Sequence, residues 1–122
     1  MIWGENGSGK TSLLEAIHTL SYGKSFKTSR QKELIKNGTV SYVVRGVFVK
    51  SGNNETIDTE YWIKGIQKTK INGKLINNRK EQIRRNPVVI LSPEEQEITK
   101  GGPAERRRFF DRVFSVVSTE YL

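Results

Sequence analysis

Residues 4–11 have the types and the spacing that are needed to hold a triphosphate. They read Gly-Glu-Asn-Gly-Ser-Gly-Lys-Thr and match the P-loop pattern G-x-x-x-x-G-K-[ST] at every defined position. Gly4, Gly7 and Gly9 let the backbone wrap closely around phosphate groups, and N–H groups at the start of the following helix point at the phosphate oxygens. Lys10 can reach the β- and γ-phosphates, and the Thr11 hydroxyl can bind the Mg²⁺ that bridges them. The pattern therefore predicts a site for a nucleoside triphosphate and Mg²⁺.

No residue is assigned a catalytic role. Hydrolysis by this class of protein also requires an acidic residue at the end of a second core strand. The apolar run at residues 88–91 is typical of a strand buried on both faces, but Ser92 and Pro93 separate it from Glu94 and Glu95. We therefore do not interpret either glutamate as the missing acid.

Three other patterns are interpreted as structural or as negative evidence. Gly101 and Gly102 resemble the glycine pair of an ABC signature, but no serine precedes them and Pro103 follows, so a turn at the start of a helix is predicted. An Asn-Lys-x-Asp sequence is absent, which disfavours a guanine-specific GTPase. His18 lies on a predicted helix without metal-ligand or triad partners, so we interpret it as structural.

The positive charge of the chain is concentrated in two blocks. The 122 residues carry a formal net charge of +8, of which residues 24–36 hold +4 and residues 64–85 hold +7, whereas the remaining segments are slightly acidic. A single block is usually a solvated surface. Two blocks beside a nucleotide motif favour binding of a polyanion through its backbone, without base reading. The candidate DNA-binding residues are Lys24, Lys27, Arg30, Lys68, Lys70, Lys74, Arg79, Lys80, Arg84 and Arg85.

Composition excludes several other classes. The chain has no cysteine, so disulfide frameworks, thiolate zinc sites and cysteine nucleophiles are excluded. No apolar run approaches the roughly 18–20 residues of a membrane-spanning helix, and the N-terminus has no signal-peptide pattern. We therefore expect a soluble protein that is not exported and has no membrane partner.

Hydrophobic periodicity divides the chain into four regions of an α/β (α+β) fold. Residues 1–23 are interpreted as a strand end, the phosphate loop and a first helix, and residues 24–38 as a basic segment with a short helix from Thr28. Residues 39–76 predict an antiparallel β region of two hairpins, the second around Asn72-Gly73. Residues 77–122 predict a short helix capped by Asn78, a buried strand at residues 88–91 and a final helix. The apolar face predicted for this last helix consists of Phe110, Val113, Phe114, Val117 and Tyr121.

The position of the phosphate loop predicts that the chain is an incomplete reading of a longer protein. The strand that feeds a P-loop typically has about five or six residues. Only three residues precede Gly4.

Several motifs resemble the RecF family of recombination-mediator ATPases, in the same order along the chain. They are found at residues 4–17, 21–26, 33–35, 71–74, 91–94 and 100–111. The phosphate loop alone fits any SMC-like head. The Leu-Ser-Pro-Glu sequence at residues 91–94 and the Ala-Glu-Arg-Arg-Arg sequence at residues 104–108 are more specific. The chain is therefore similar to an N-terminal fragment of a RecF protein over essentially its whole length.

The resemblance implies the fold of a P-loop NTPase, an ABC/SMC-like ATPase head with an antiparallel β layer. It also implies ATP binding, with Mg²⁺, by Gly4, Glu5, Asn6, Gly7, Ser8, Gly9, Lys10, Thr11 and Ser12. Further implications are an ATP-dependent homodimer in the full-length protein, and DNA at single-strand/double-strand gaps as the partner. The resemblance also implies RecR- and RecO-type proteins as partners. It further implies a role in replication, recombinational repair and the SOS response, in the bacterial cytoplasm.

The resemblance also sets limits. RecF proteins are weak ATPases with an N-terminal hairpin, a signature motif and a Walker B strand, which this sequence lacks, so we expect the 122-residue chain to bind nucleotide weakly and not to hydrolyse it. Two alternatives remain open at this point. One is a small-molecule or nucleotide kinase with a β insertion and a lid formed by Arg106, Arg107 and Arg108; the other is a nonenzymatic DNA-binding module with a vestigial P-loop.

Overall fold

The computed structural model describes residues 1–91 and 100–118. The helices are α1 (Lys10–Tyr22), α2 (Arg79–Arg85) and α3 (Pro103–Val117), and a single turn of 3-10 helix covers Gln31–Leu34. The strands are β1 (Ser41–Lys50), β2 (Asn53–Trp62), β3 (Gln67–Ile71) and β4 (Lys74–Ile76). None of the helices in these two ranges is long and apolar enough to span a membrane.

The four strands form one antiparallel sheet in the order β1-β2-β3-β4. Tight turns fix its register. Asn72 and Gly73 join β3 to β4 with φ values of 50° and 80°, the two positive values that a type I′ turn requires. The β region predicted for residues 39–76 is thus present, with the two hairpins joined into a single meander.

One face of this sheet packs against α1. Ile57 on β2 and Ile71 on β3 are paired in the register, and both are buried against Leu20 of α1. Because side chains alternate across a strand, the neighbouring Asp58 and Lys70 lie on the opposite, solvent-facing side. The core is therefore one layer between the first helix and the meander.

Helix α2 closes the end of this layer. Its N-terminal N–H group on Lys80 donates to Oδ1 of Asn78 at 2.9 Å, as the capping prediction requires. The buried Gln82 donates through Nε2 to the carbonyl oxygen of Leu20 at 2.7 Å, and the Ser21 hydroxyl donates to the carbonyl oxygen of Asn86. These bonds tie α2 to the C-terminal end of α1.

Two predicted strands are wrong. Residues 1–3 have no regular secondary structure, and Trp3 is 85% exposed. Residues 88–91 are also irregular, with Val89 and Leu91 exposed rather than buried. Neither segment is paired with the meander, and an apolar run becomes a strand only where another strand satisfies its backbone N–H and C=O groups.

The helix predicted from Thr28 is limited to the 3-10 turn Gln31–Leu34. The Thr28 hydroxyl accepts from the N–H of Arg30 at 3.0 Å and donates to the Glu33 carboxylate at 2.7 Å. Gln31, the expected partner in a capping box, instead accepts at Oε1 from the Tyr42 hydroxyl at 2.6 Å. A tertiary contact has therefore replaced the local one.

The end of the chain is described in part. Gly102 is the residue before α3 and Pro103 is its first residue, so Gly101 and Gly102 lie at a helix start, as predicted. On the predicted apolar face of this helix Phe110 and Phe114 are 50% and 43% exposed. Residues 92–95 and Tyr121 lie outside the described residues.

Candidate nucleotide-binding site

The phosphate loop depends on glycines that adopt positive φ. Gly7 has φ 81° and Gly9 has φ 90°, a region that side chains other than glycine rarely adopt. Apart from the residues next to each glycine in the chain, nothing lies within 4 Å of the position that a Cβ would take at Gly7 or Gly9. Glycine is required at these two positions by the backbone conformation, and the space beside them is free for a ligand.

The start of α1 presents unpaired N–H groups to this space. The first helical hydrogen bond runs from the N–H of Leu13 to the carbonyl oxygen of Gly9 at 3.0 Å. The N–H groups of Lys10, Thr11 and Ser12 precede it and have no acceptor within the helix. The first turn contains no acidic residue, and Gly9 has no side chain that could cap it. The N-terminus of α1 therefore carries a partial positive charge that favours binding of an anion.

Lys10 closes the loop on itself. Its Nζ donates to the carbonyl oxygens of Gly4 and Glu5, each at 2.5 Å, and lies 3.5 Å from Oγ of Ser8. The loop is also held by a hydrogen bond of 3.2 Å from the N–H of Ser8 to the carbonyl oxygen of Glu5. The ammonium group is thus held at the loop, where it can exchange its two carbonyl acceptors for the oxygens of a phosphate.

The residues present fit a triphosphate better than they fit a metal ion alone. Thr11 is exposed in the first turn of α1 and offers one hydroxyl. The described ranges contain no group of three or more His, Cys, Asp or Glu residues that could hold a metal. Mg²⁺ commonly takes few protein ligands and is bound through substrate phosphates and waters. Thr11 can supply one such ligand once a nucleotide is bound.

A second group of contacts holds the basic segment against α1. The Ser25 hydroxyl donates to the Glu15 carboxylate and accepts from the N–H groups of Lys27 and Thr28, at 2.9 and 3.3 Å. Ser25 is buried although it belongs to a polar run of the sequence, and it was not among the predicted site residues. The position of Ser25 in the sequence gives no sign of this burial, because the contact depends on how the chain turns back after Gly23.

His18 is part of the same packing. Its ring stacks on Tyr22 with centroids 4.6 Å apart and meets Phe26 edge-on at 5.6 Å, while Nδ1 lies 2.8 Å from the carbonyl oxygen of Lys24. Burial lowers the pKa of His18, and the positive charges of Lys24 and Arg112 act in the same direction. The interpretation of His18 as a structural residue agrees with this environment.

The ten candidate DNA-binding residues are distributed over several elements. Arg30 is paired with Glu33 at 3.7 Å, and Arg85 is paired with Glu55 at 2.8 Å and Glu81 at 3.0 Å. The remaining candidates are exposed. They are Lys24 and Lys27 on the segment after α1, Lys68 and Lys70 on β3, Lys74 on β4, and Arg79, Lys80 and Arg84 on α2.

Two of these exposed lysines face carboxylates across the sheet. The register places Lys68 opposite Glu60 and Lys70 opposite Asp58. Asp58 also forms an ion pair with Arg45 at 2.5 Å, and the hydrogen bond from Arg45 is the main cause that lowers the pKa of this carboxyl. The positive charge of Lys70 is therefore partly neutralised, whereas the block as a whole remains strongly basic.

Residues 1–117 match the AAA domain family. The chain is 37% identical over 122 residues to the DNA replication and repair protein RecF of Thermoanaerobacter pseudethanolicus. This alignment covers 100% of this chain and 34% of the relative. It is 42% identical over 111 residues to the RecF protein of Pseudoalteromonas translucida, covering 91% of this chain and 30% of the relative. The chain thus spans about a third of the length of these curated relatives.

Solved structures give the same result. The structure of the recombination mediator protein RecF-ATP in the RecFOR pathway superposes with a TM-score of 0.80 at 37% identity, covering 98% of this chain and 32% of that one. A structure from work on ATP-driven dimerization and DNA-stimulated activation of SMC ATPases superposes with a TM-score of 0.69 at 23% identity, covering 93% and 82%. The second likeness concerns the fold alone. The predicted RecF resemblance and the predicted ATPase-head fold are both confirmed.

Proposed function

The chain belongs to the AAA domain family, and from that premise we propose that it is the ATP-binding part of a RecF-type DNA-binding ATPase. The observation that carries the proposal is the geometry of residues 4–12. Two glycines at positive φ, three N–H groups without a helical acceptor and one lysine ammonium group surround the same space. A triphosphate supplies the negative charge that this arrangement lacks.

Lys10 has the central role in this proposal. In the structure its ammonium group donates to two carbonyl oxygens of the loop. With ATP bound it would contact the β- and γ-phosphates instead. The N–H groups of the loop and of the first turn orient the phosphates, and Thr11 provides a ligand for Mg²⁺. If Mg²⁺ binds with the nucleotide, it would supply positive charge to the phosphate oxygens.

DNA is the proposed macromolecular partner. The match to RecF proteins and the two basic blocks support sequence-independent contact with the DNA backbone, at the gaps between single-stranded and double-stranded segments. The same proposal includes RecR- and RecO-type proteins as partners and an ATP-dependent homodimer of the full-length protein. It also includes a role in the SOS response and location in the bacterial cytoplasm.

The alternative of a nucleotide kinase receives less support. Nucleotide kinases usually continue from the first helix into further β-α units. Here α1 is followed by an antiparallel meander, and the relatives described above are RecF and SMC proteins. A binding module with a vestigial loop is disfavoured by the intact glycine and lysine geometry of the loop.

The test is ATP binding by the 122-residue chain and a lysine variant. We expect Lys10→Ala to weaken binding of a fluorescent ATP analogue at least tenfold in fluorescence-anisotropy titrations with Mg²⁺, because its ammonium group contacts the phosphates in the proposed site. Lys50→Ala is the matched control, since Lys50 is an exposed lysine at the end of β1 and should leave binding unchanged. Equal affinity of the Lys10 variant and the unmodified chain would contradict the proposal.

A further inference from the structure

A second surface lies at the end of the meander, outside the phosphate loop. The turn between β2 and β3 encloses an apolar notch of about 440 Å³. Trp62, Ile63 and Ile66 form much of its lining, and Val40 completes the apolar wall. Trp62 is 37% exposed, and Ile63 and Ile66 are each close to half exposed. An indole ring beside a cluster of exposed aliphatic side chains is unusual for a surface turn.

The backbone around the notch is well fixed. The N–H of Trp62 donates to the carbonyl oxygen of Ile66, and the N–H of Gly65 donates to the carbonyl oxygen of Trp62, both at 2.8 Å. Gly65 has φ 88°, the left-handed conformation that lets a short hairpin loop close. The N–H of Ile63 also donates to the carbonyl oxygen of Val40 at 2.8 Å. The indole is therefore carried by a closed hairpin rather than by a loose loop.

The charges at the rim indicate which kind of ligand fits. Lys64 and Lys68 both line the notch, together with the single carboxylate of Glu60. Lys64 begins the block of residues 64–85, which carries a net charge of +7. An aliphatic peptide could use the apolar wall but has no use for this positive charge. A flat apolar group attached to a negatively charged backbone can use both.

We propose that this notch binds an unpaired base of single-stranded DNA, with the base stacked on Trp62 and the adjoining phosphates paired with Lys64 and Lys68. Stacking on an aromatic ring combined with lysines that follow the backbone is the general way in which proteins hold single strands without reading sequence. A duplex keeps its bases stacked inside and cannot offer one to the ring. The inference rests on the proposed function in that the partner is DNA, but it concerns a different surface from the ATP site.

The experiment uses the fluorescence of Trp62. The chain has two tryptophans, so Trp3→Phe leaves Trp62 as the single emitter. We expect saturable quenching on titration with a 12-nucleotide oligothymidylate, and little quenching with a duplex of the same length. Trp62→Ala should weaken binding of a labelled oligothymidylate about 5- to 150-fold, whereas Trp62→Phe should retain most of it. Trp3→Ala is the matched control and should bind as the unmodified chain does.

The lysines are tested by salt dependence. For a single strand each neutralised phosphate contributes about 0.7 to the slope of log affinity against log salt concentration. Lys64→Gln combined with Lys68→Gln should therefore reduce the slope by about 1.4, while circular dichroism confirms that the sheet is intact. The control is Lys50→Gln combined with Lys100→Gln, two exposed lysines outside both basic blocks, which should leave the slope unchanged.

The outcomes separate this inference from the proposed function. Quenching of equal size by duplex and single strand, or unchanged affinity in Trp62→Ala, would refute the notch as a base site even if Lys10-dependent ATP binding is found. A dimer in sedimentation that Trp62→Ala dissociates would instead identify a second copy of the chain as the occupant and would also overturn the inference. If the chain binds neither form of DNA, the DNA part of the proposed function fails together with the notch.

Discussion

At the scale of single residues, environment decides which side chains perform chemistry and which support structure. Lys10 is half-buried beside the loop, with its ammonium group held by two carbonyl oxygens. His18 has the more versatile side chain, yet it is 9% exposed and stacked on Tyr22. Its Nδ1 atom contacts the carbonyl oxygen of Lys24. Burial therefore makes His18 a packing residue and lowers the pKa of its imidazole.

The lowered pKa of His18 predicts how stability depends on pH. Below its ordinary pKa of 6.5, the histidine binds a proton in the unfolded state that the folded state resists. The contribution of neutral His18 to the free energy of unfolding should therefore be complete above pH 6.5. It should decrease as the pH falls towards the folded-state pKa. Urea unfolding at pH 7.5, 6.5 and 5.5 measures this fall.

The control for this prediction is unusually direct, because His18 is the single histidine of the chain. His18→Phe keeps a ring for Tyr22 to stack on and removes the titrating group. The unfolding free energy of the variant should change much less between pH 7.5 and 5.5. An equally steep fall in both proteins would show that another group is responsible.

At the scale of elements, the contact between α1 and the meander determines where the phosphate loop lies. Leu20 of α1 is buried against Ile57 and Ile71, and Gly46 of β1 lies directly below it. A Cβ added at Gly46 would lie 2.5 Å from Cδ1 of Leu20, well inside van der Waals contact. Gly46 is thus needed for close approach of the helix, and its φ is not positive.

Gly46→Ala should consequently destabilise the protein by overpacking. We expect a loss of about 1–3 kcal/mol in the free energy of unfolding, measured by urea titration. The loss should shrink in a Leu20→Ala background, because the clashing methyl group is then absent. Val47→Ala on the exposed face of the same strand is the control, with an expected change within about 0.5 kcal/mol. Additive effects of Gly46→Ala and Leu20→Ala would contradict the proposed clash.

At the scale of the whole molecule, binding and hydrolysis have different structural requirements. The loop, its lysine and the start of α1 lie within one contiguous stretch of sequence. Hydrolysis also needs an acidic group from a second core strand. Residues 88–91, the segment that could have provided this strand, are irregular, and Val89 and Leu91 are exposed. In the described parts of the chain, the candidate nucleotide site therefore lacks a second core strand that could supply this acidic group.

We accordingly expect the 122-residue chain to bind ATP without hydrolysing it. Phosphate release with Mg²⁺ and saturating ATP should be the same for the unmodified chain and for Lys10→Ala, because neither assembles the acidic half of the site. A coupled phosphate assay measures this, with a buffer blank as reference. Release that depends on Lys10 would show that the chain supplies the missing group elsewhere.

The sequence alone determined the features that depend on neighbouring residues. The phosphate loop, α1, the turn at Asn72-Gly73 and the Asn78 cap are each specified by residues a few positions apart, so their local energetics were enough to predict them. The family resemblance followed from the same local motifs. The ATPase-head fold was predicted through that resemblance.

Only the tertiary structure decided what depends on distant partners. Residues 88–91 carry a strand-like pattern but have no paired strand in the described parts of the chain. Thr28 bonds to Glu33 and Arg30, while Gln31 bonds to Tyr42. The approach of Trp62 to Lys64, Lys68 and Val40 likewise required the hairpin to close. A buried or bridging contact gains its free energy from atoms that are far away in sequence, and the pattern of a short segment contains no information about where those atoms will be.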